Sequence, residues 1–174
     1  DATAINPRCI RLGPNPTLCY IDTSASPYLL KSVQVDTNNP VAFKTAKTIS
    51  SVVNPTNPVY DVAIYSDNAS SGNGIFCYNN SGATRIDVGY LTTDGAVGTA
   101  GAGYPVAATI TSTNATDCIA ICGDKINTVV AEEERIYVGY ASTGSSLGLK
   151  IKRLTALLAV EATHTVEATA TKID

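Results

Sequence analysis

Residues 85–90 read Arg-Ile-Asp-Val-Gly-Tyr, and residues 135–140 repeat the pattern as Arg-Ile-Tyr-Val-Gly-Tyr. Every second residue in both stretches is apolar, which places one row of side chains on a single face of a β-strand. Because glycine weakens a strand, we expect Gly89 and Gly139 to mark a bulge or a close backbone approach. The repeat indicates either a duplicated half-domain or two equivalent strands that share one packing solution.

The same alternation recurs along the chain between dense turn signals, among them five Asn-Pro dipeptides and several glycine-rich breaks. These runs indicate about eleven or twelve short strands, and no helical pattern interrupts them. The sequence therefore predicts an all-β protein, an antiparallel β-sandwich of jelly-roll-like type with extended terminal segments. We expect an extended N-terminal segment over residues 1–18 and one sandwich domain over residues 19–174.

The C-terminal segment alternates over the greatest length. From residue 154 to residue 170 the even positions are apolar except for the histidine, and from residue 161 the odd positions are Glu or Thr. This pattern predicts a strand over about 154–171, longer than the usual 3–10 residues, that bends at a bulge or projects beyond the domain. The competing interpretation is a short helix over 154–163. An apolar row of this length needs burial, and its predicted subunit-contact residues are Leu154, Leu158, Val160, His164 and Val166.

The composition narrows the function classes. Charged residues make up 16% of the 174 residues, against about 25% in an ordinary soluble domain, so the surface is polar but nearly uncharged. The net charge is −3 and no basic stripe is present, which argues against nucleic-acid binding. No stretch approaches the roughly 20 apolar residues of a membrane span.

Catalytic patterns are missing from the sequence. The single histidine, His164, lies in the apolar row, so a structural role is favoured over a catalytic triad. Paired carboxylates such as Asp61 and Asp87 have no supporting motif, and the loops at 66–68 and 93–95 lack calcium-ligand spacing. The sequence therefore predicts a protein that is not an enzyme and needs no cofactor or metal.

Five cysteines are present, none in a metal or redox motif. Cys9 and Cys19 flank a natural turn and are predicted to form a disulfide. Cys118 and Cys122 lie four residues apart in a candidate strand, about 13 Å between Cα atoms, and are predicted not to pair. The disulfide partners of Cys77, Cys118 and Cys122 stay open.

Three glycosylation sequons occur in turn-like stretches, at Asn68, Asn79 and Asn114. The chain starts at Asp1 and contains no Met, so we expect a processed product, from removal of an export signal or from cleavage of a polyprotein. If the chain is exported through a glycosylating pathway, we expect these three Asn residues to carry glycans and to lie at exposed loop tips. A chain rich in Asn, Ser and Thr also generates sequons freely.

The expected function is structural. The predicted protein is an extracellular or cell-surface subunit that polymerises with copies of itself into a pilus-like filament, through strand exchange between subunits. One alternative is a viral capsid or decoration protein on the virion surface. The other is a carbohydrate-binding or adhesin module that uses loop tyrosines such as Tyr78 and Tyr104.

Overall fold

The computed structural model of the protein describes residues 3–36, 38–65, 73–82, 85–99, 104, 107–111, 116–124, 135–142 and 148–167. Within these ranges the protein has thirteen strands and no helix, which confirms the all-β prediction. The strands are β1 (Ala4–Leu12), β2 (Asn15–Asp22), β3 (Tyr28–Asp36), β4 (Asn39–Phe43), β5 (Lys47–Val53), β6 (Tyr60–Ile64), β7 (Gly74–Asn79), β8 (Arg85–Leu91), β9 (Ala108–Thr111), β10 (Thr116–Asp124), β11 (Arg135–Ser142), β12 (Gly148–Thr155) and β13 (Val160–Glu167).

The strands form three antiparallel sheets. The N-terminal sheet has the order β1-β2-β3-β4, and β5 also pairs with β3. The central sheet has the order β6-β7-β8-β9, and the C-terminal sheet has the order β10-β11-β12-β13. Apart from β5, strands that follow one another along the chain are therefore neighbours in the sheet.

Two hydrophobic cores separate the three sheets, and the central sheet contributes to both. β7 is buried at every residue. Its Ile75 and Cys77 side chains enter the core shared with the C-terminal sheet, whereas Phe76 and Tyr78 enter the core shared with the N-terminal sheet. The central sheet is consequently the middle layer, and each flanking sheet has one outward face.

The repeated sequence lies on facing strands of the second core. Ile86, Val88 and Tyr90 of β8 enter it from the central sheet, and the matching Ile136, Val138 and Tyr140 of β11 enter it from the C-terminal sheet. The alternation predicted for both stretches is therefore confirmed.

The two glycines of the repeat differ in their surroundings. A Cβ atom added to Gly89 would lie 2.6 Å from Cζ of Phe76, the residue opposite on β7. The expected close approach is therefore present at Gly89, although an aromatic side chain makes it rather than a backbone. A Cβ atom added to Gly139 would have no atom of the described residues within 4 Å.

The N-terminal residues are part of a sheet. β1 and β2 form an antiparallel hairpin with Leu12 opposite Asn15, and Leu12 is fully buried in the first core. The boundary expected at residue 18 falls inside β2.

The long strand predicted over 154–171 is wrong in its middle. β12 and β13 are two strands of a hairpin, joined by a turn in which Leu158 N–H donates to Thr155 O and Thr155 N–H donates to Ala159 O, both at 2.9 Å. Leu158 takes a left-handed φ of 63° and is nevertheless buried in the core. The helix considered over 154–163 is wrong for the same reason. The alternation runs through the turn because Leu154, Ala156 and Leu158 all pack on the same core.

We predict that Gly89→Ala lowers the free energy of unfolding by about 1–3 kcal/mol, since the new methyl group overpacks against the Phe76 ring. The ring is 3% exposed and stacks on Tyr78 with centroids 6.2 Å apart, so it has little room to move. Gly139→Ala, in the same sequence motif, is the matched control and should leave that free energy unchanged or raise it by up to about 1 kcal/mol. Urea denaturation measures both, and equal effects at the two positions would contradict the packing described above.

Candidate functional site: the open edge and outer faces

The residues predicted to contact a neighbouring subunit fall into two groups. Leu154 is fully buried and Leu158 is 3% exposed, both in the core of their own chain, so these two are wrong as subunit contacts. Val160, His164 and Val166 lie on β13 and are exposed, with Val160 at 46% and Val166 at 57%. β13 is an edge strand of the C-terminal sheet.

The edges of the three sheets are tied together on the opposite side of the molecule. Tyr60 Oη of β6 donates to Asn6 O of β1 at 2.6 Å, and Asn6 Nδ2 donates to Pro58 O at 3.2 Å. Ile121 N–H of β10 donates to the Asp61 carboxylate of β6 at 2.9 Å. Side chains thus hold the edge strands β1, β6 and β10 against one another.

Two of the remaining edge strands offer little for a partner to pair with. The end of β5 is joined to the central sheet, because Asn54 N–H donates to Asn79 O at 2.9 Å and Ser81 N–H donates to Val52 O at 2.7 Å. β9 is only four residues long. Among the described residues, β13 is an eight-residue edge strand whose outer side receives no backbone hydrogen bond from another strand and no side-chain hydrogen bond from another sheet.

The structure of β13 limits where a partner strand can pair. Its register with β12 shifts at both ends, between Arg153 and Leu154 and between Leu149 and Lys150. Bulges of this kind blunt an edge. Regular pairing covers residues 162–165, a stretch with no charged side chain apart from the one histidine.

The nearest charge on β13 is already neutralised. Glu161 Oε2 lies 2.7 Å from Arg135 Nε and 3.1 Å from Arg153 Nε. An unpaired charge pointing from an edge strand repels incoming strands, and this carboxylate is bound to its own sheet instead. The middle of β13 therefore carries no unpaired charge that would repel a partner strand.

The outer face of the C-terminal sheet has two small residues, Gly139 and Ala120, beside each other in one row. Gly139 lies opposite Ala120 of β10 and Ile151 of β12, and Ile151 lies opposite His164 of β13. Val138 points into the core, so its neighbour Gly139 and this row point outward. Small side chains on a sheet face allow another molecule to approach closely.

The outer face of the N-terminal sheet carries an apolar groove of about 310 Å³. Leu18 and Val33 lie opposite each other at its floor. Phe43 forms one wall and is 63% exposed, the larger exposure of the two phenylalanines. The sequence does not identify Phe43 as an exposed aromatic residue, because nothing in its neighbours shows which side of a strand it faces. The groove is lined by Ala4, Ile5, Pro7, Leu18, Tyr20, Val33 and Phe43.

The predicted disulfide between Cys9 and Cys19 is not formed, and both are free thiols. Cys9 lies opposite Leu18 and Cys19 lies opposite Arg8, so the two cysteines are offset by one residue. Cys9 is exposed and Cys19 is buried, which places them on opposite faces of the sheet. Burial, with a smaller contribution from nearby Cys9, raises the pKa of the Cys19 thiol to about 12, so this thiol is unreactive.

The remaining cysteines behave differently. Cys118 and Cys122 both lie on β10 and do not bond to each other, as predicted. Burial raises the pKa of the Cys77 thiol well above its ordinary value, so Cys77 is a core residue. No disulfide occurs in the part of the chain that the structure describes.

The predicted exposure of the glycosylation sequons is wrong at Asn79, and the other two sites are outside the described residues. Asn79 belongs to β7, is 1% exposed, and donates from its side-chain amide to Asn57 O at 3.2 Å. The sequon resembles a turn because two further residues, Asn80 and Ser81, follow the strand. Asn68 and Asn114 lie outside the described residues.

The two tyrosines considered for sugar binding are in structural contacts. Tyr78 is 6% exposed and its hydroxyl donates to the Asp87 carboxylate at 2.9 Å, so its assignment to a loop is wrong. The Tyr104 hydroxyl donates to Asn73 Oδ1 at 3.0 Å. Asp87 also accepts from Asn80 at 2.6 Å. The carboxylates of Asp87 and Asp61 thus both accept hydrogen bonds that stabilise the fold, Asp61 from Ile121 N–H of β10.

The described residues contain no group of three or more His, Cys, Asp or Glu side chains arranged to hold a metal ion. No helix in the described ranges is long and apolar enough to cross a membrane. Comparison of the sequence with protein-family models finds no matching family, and comparison with curated proteins finds no match.

A buried ion pair borders the groove of the N-terminal sheet. The Lys31 ammonium lies 2.5 Å from Asp22 Oδ2, and Ser24 N–H and the Thr3 hydroxyl each donate to Asp22 Oδ1 at 2.9 Å. The hydrogen bond from Lys31, followed by those from Ser24 and Thr3, holds the pKa of Asp22 well below its ordinary value. A lowered carboxyl pKa stabilises the fold above the unfolded-state pKa of about 3.9, and this contribution is lost as the pH falls below it.

We predict that Asp22→Asn lowers the free energy of unfolding at pH 7 by about 1–3 kcal/mol, because hydrogen bonds to a buried charge are lost. The difference between wild type and variant should shrink as the pH falls below about 4, because the unfolded wild-type chain then takes up a proton at Asp22 that the folded chain resists. Asp94→Asn is the matched control, since its ion pair with Lys47 is exposed and worth less than about 1 kcal/mol. Denaturation at several pH values measures these effects, and a pH-independent difference for Asp22→Asn would contradict the assignment.

Proposed function

We propose that this chain is a non-catalytic structural subunit that self-assembles into an extracellular, pilus-like filament. The partners are copies of the chain, and the contact is made by pairing of an open strand edge, a form of β-augmentation. The open edge of β13 is the single observation that carries the proposal, because no hydrogen bond from another sheet reaches it in the described part of the chain, whereas side chains of β6 join β1 and β10.

The proposed contact is favourable in both its backbone and its side chains. Pairing a second strand along residues 162–165 would satisfy backbone groups that face away from β12. Burying the exposed parts of Val160 and Val166 adds apolar contacts at about 25 cal/mol per Å² removed from water. Thr163 and Thr165 have high β-propensity and no charge, and both suit a position between strands.

In the proposed contact β13 stays in its own sheet and is not inserted into the sheet of the neighbouring subunit. β13 pairs with β12 of its own sheet along most of its length, so it offers an edge to a neighbour and does not leave the subunit. A second copy that pairs there would extend the C-terminal sheet across the interface. Strand exchange by the described C-terminal residues would first require β13 to leave β12.

The finer description of the fold is part of the same proposal. Two cores between antiparallel sheets support a sandwich-type architecture. The sequential strand order within each sheet differs from the Greek-key crossovers of a jelly roll. The low fraction of charged residues supports a subunit that packs against neighbours, and an extracellular location with glycans at Asn68 or Asn114 remains a proposal from the sequons.

Two alternative functions follow from the sequence, a carbohydrate-binding or adhesin module and a virion protein. No contact among the described residues specifically supports either of them. A carbohydrate-binding module would need accessible aromatic platforms, and Tyr78 is buried in the core. A virion capsid or decoration protein would also consist of repeated copies, and image analysis of assemblies separates closed shells from open filaments.

We predict that the purified wild-type chain forms filaments in electron micrographs and that the double variant Val160→Lys, Val166→Lys forms none. Two ammonium groups beside the edge oppose the approach of a partner strand, as lysines do on natural edge strands. Leu157→Lys is the matched control, since Leu157 is 77% exposed in the turn before β13 and does not lie on the strand. Circular dichroism checks that all three proteins are folded. A wild type that stays monomeric at high concentration would overturn the proposed function, and a double variant that assembles normally would overturn the role of β13.

A further inference from the structure

Nothing in the described part of the chain requires glycine at position 139. It lies in the middle of β11, where glycine costs about 0.5–1 kcal/mol relative to alanine. No described atom lies within 4 Å of the position that a Cβ would occupy, and Gly139 is not among the glycines with a positive φ. A glycine in a strand that neither the backbone conformation nor a neighbour requires points to close approach by another molecule.

The same sequence motif shows what such an approach looks like inside the chain. At Gly89 the Phe76 ring lies directly over the glycine, and the N-terminal sheet covers that face. An aromatic ring over a strand glycine replaces the missing side-chain contact. The residues opposite Gly139 are Ala120 and Ile151, and neither places a ring over it. Gly139 on the outer face of the C-terminal sheet therefore lacks the covering side chain that Gly89 has within the described chain.

We propose that the outer face of the N-terminal sheet of a second copy covers this face, with Phe43 of that copy lying over Gly139. The inference rests on the self-assembly proposed above and names the two different surfaces through which successive subunits would contact each other. Phe43 is 63% exposed beside an apolar groove that contains Leu18 and Val33. A ring this exposed is costly in an isolated subunit and is buried in the proposed contact.

The available area is sufficient for a specific contact. Four strands at about 4.8 Å spacing, with about eight residues of about 3.3 Å each, make a face of about 19 Å by 26 Å. Two such faces in contact remove about 1,000 Å² from water in total, which reaches the lower limit of about 1,000 Å² for a biological interface. The contact would be of modest strength alone, as is suitable for one of two interfaces in a polymer.

The two faces lie at opposite ends of the three-layer molecule. A contact between different surfaces of identical subunits is head-to-tail, and it produces an open polymer when the rotation between subunits does not close a ring. Pairing of β13 with β13 of another copy would stop at two subunits unless a second interface continued the assembly. The face-to-face contact supplies that continuation.

Two single variants test the proposal, Phe43→Lys on one face and Gly139→Lys on the other. Both positions are open in the subunit, so both variants should fold with an unfolding midpoint close to that of the wild type. Phe43→Lys keeps an intact C-terminal face and Gly139→Lys keeps an intact N-terminal face. Fluorescently labelled Phe43→Lys should therefore bind Gly139→Lys at least tenfold more tightly than either variant binds itself. Sedimentation velocity with fluorescence detection measures the three affinities, and any pairing through β13 contributes equally to all of them.

The outcomes separate this inference from the proposed function. If Phe43→Lys self-associates as the wild type does while Gly139→Lys does not, the C-terminal faces pack on each other and the role of Phe43 is wrong. If both variants assemble as the wild type does, neither face is an interface and this inference is wrong. Filaments of the wild type would then still support the proposed function, with a different surface as the second interface beside β13. A wild type that never assembles would overturn the proposed function together with this inference.

Discussion

The structure depends on the burial of the central sheet on both faces. β7 has no exposed residue, and its Phe76 and Tyr78 side chains enter a different core from Ile75 and Cys77. A sheet of this kind cannot exist alone, because each apolar face must be covered by another layer. The N-terminal and C-terminal sheets are those covers, and their own outward faces and edges are what remains for contact with other molecules.

The sequence predicts the strands better than it predicts their arrangement. Alternation in the repeated stretches identifies the core residues of β8 and β11, because the side-chain period of a strand is read directly from the sequence. The run Gly74–Asn79 is almost continuously apolar instead, as is typical of a strand buried on both faces. That pattern indicates a middle layer, but it does not tell which sheets lie on either side.

The errors at the C-terminus and the cysteines have one physical origin. Leu154, Ala156 and Leu158 stay on the core side up to the end of the turn, whereas Ala162 and His164 of β13 lie on the outer face. The apolar alternation therefore continues in the sequence although the chain reverses and the apolar row changes face. The Cys9–Cys19 prediction considered the turn between the strands and not their register, and an offset of one residue changes the face of every side chain. In the sequence Asn79 resembles a loop residue because turn residues follow it, although its side-chain amide donates a hydrogen bond to Asn57 O. In each case the local sequence is compatible with two arrangements, and only packing between distant segments selects one.

The candidate site follows from the same layering. Side chains of Asn6, Tyr60 and Asp61 join three edge strands on one side of the molecule, and they leave β13 exposed on the C-terminal sheet. A single open edge of four regular residues gives a weak contact, since each net backbone hydrogen bond contributes only about 1 kcal/mol. A flat face of about 500 Å² is also weak alone. If both proposed contacts form, they act with a raised effective concentration, because a subunit held by one is already positioned for the other. Assembly that needs both contacts would be cooperative, so isolated subunits would stay soluble until their concentration allowed several to meet.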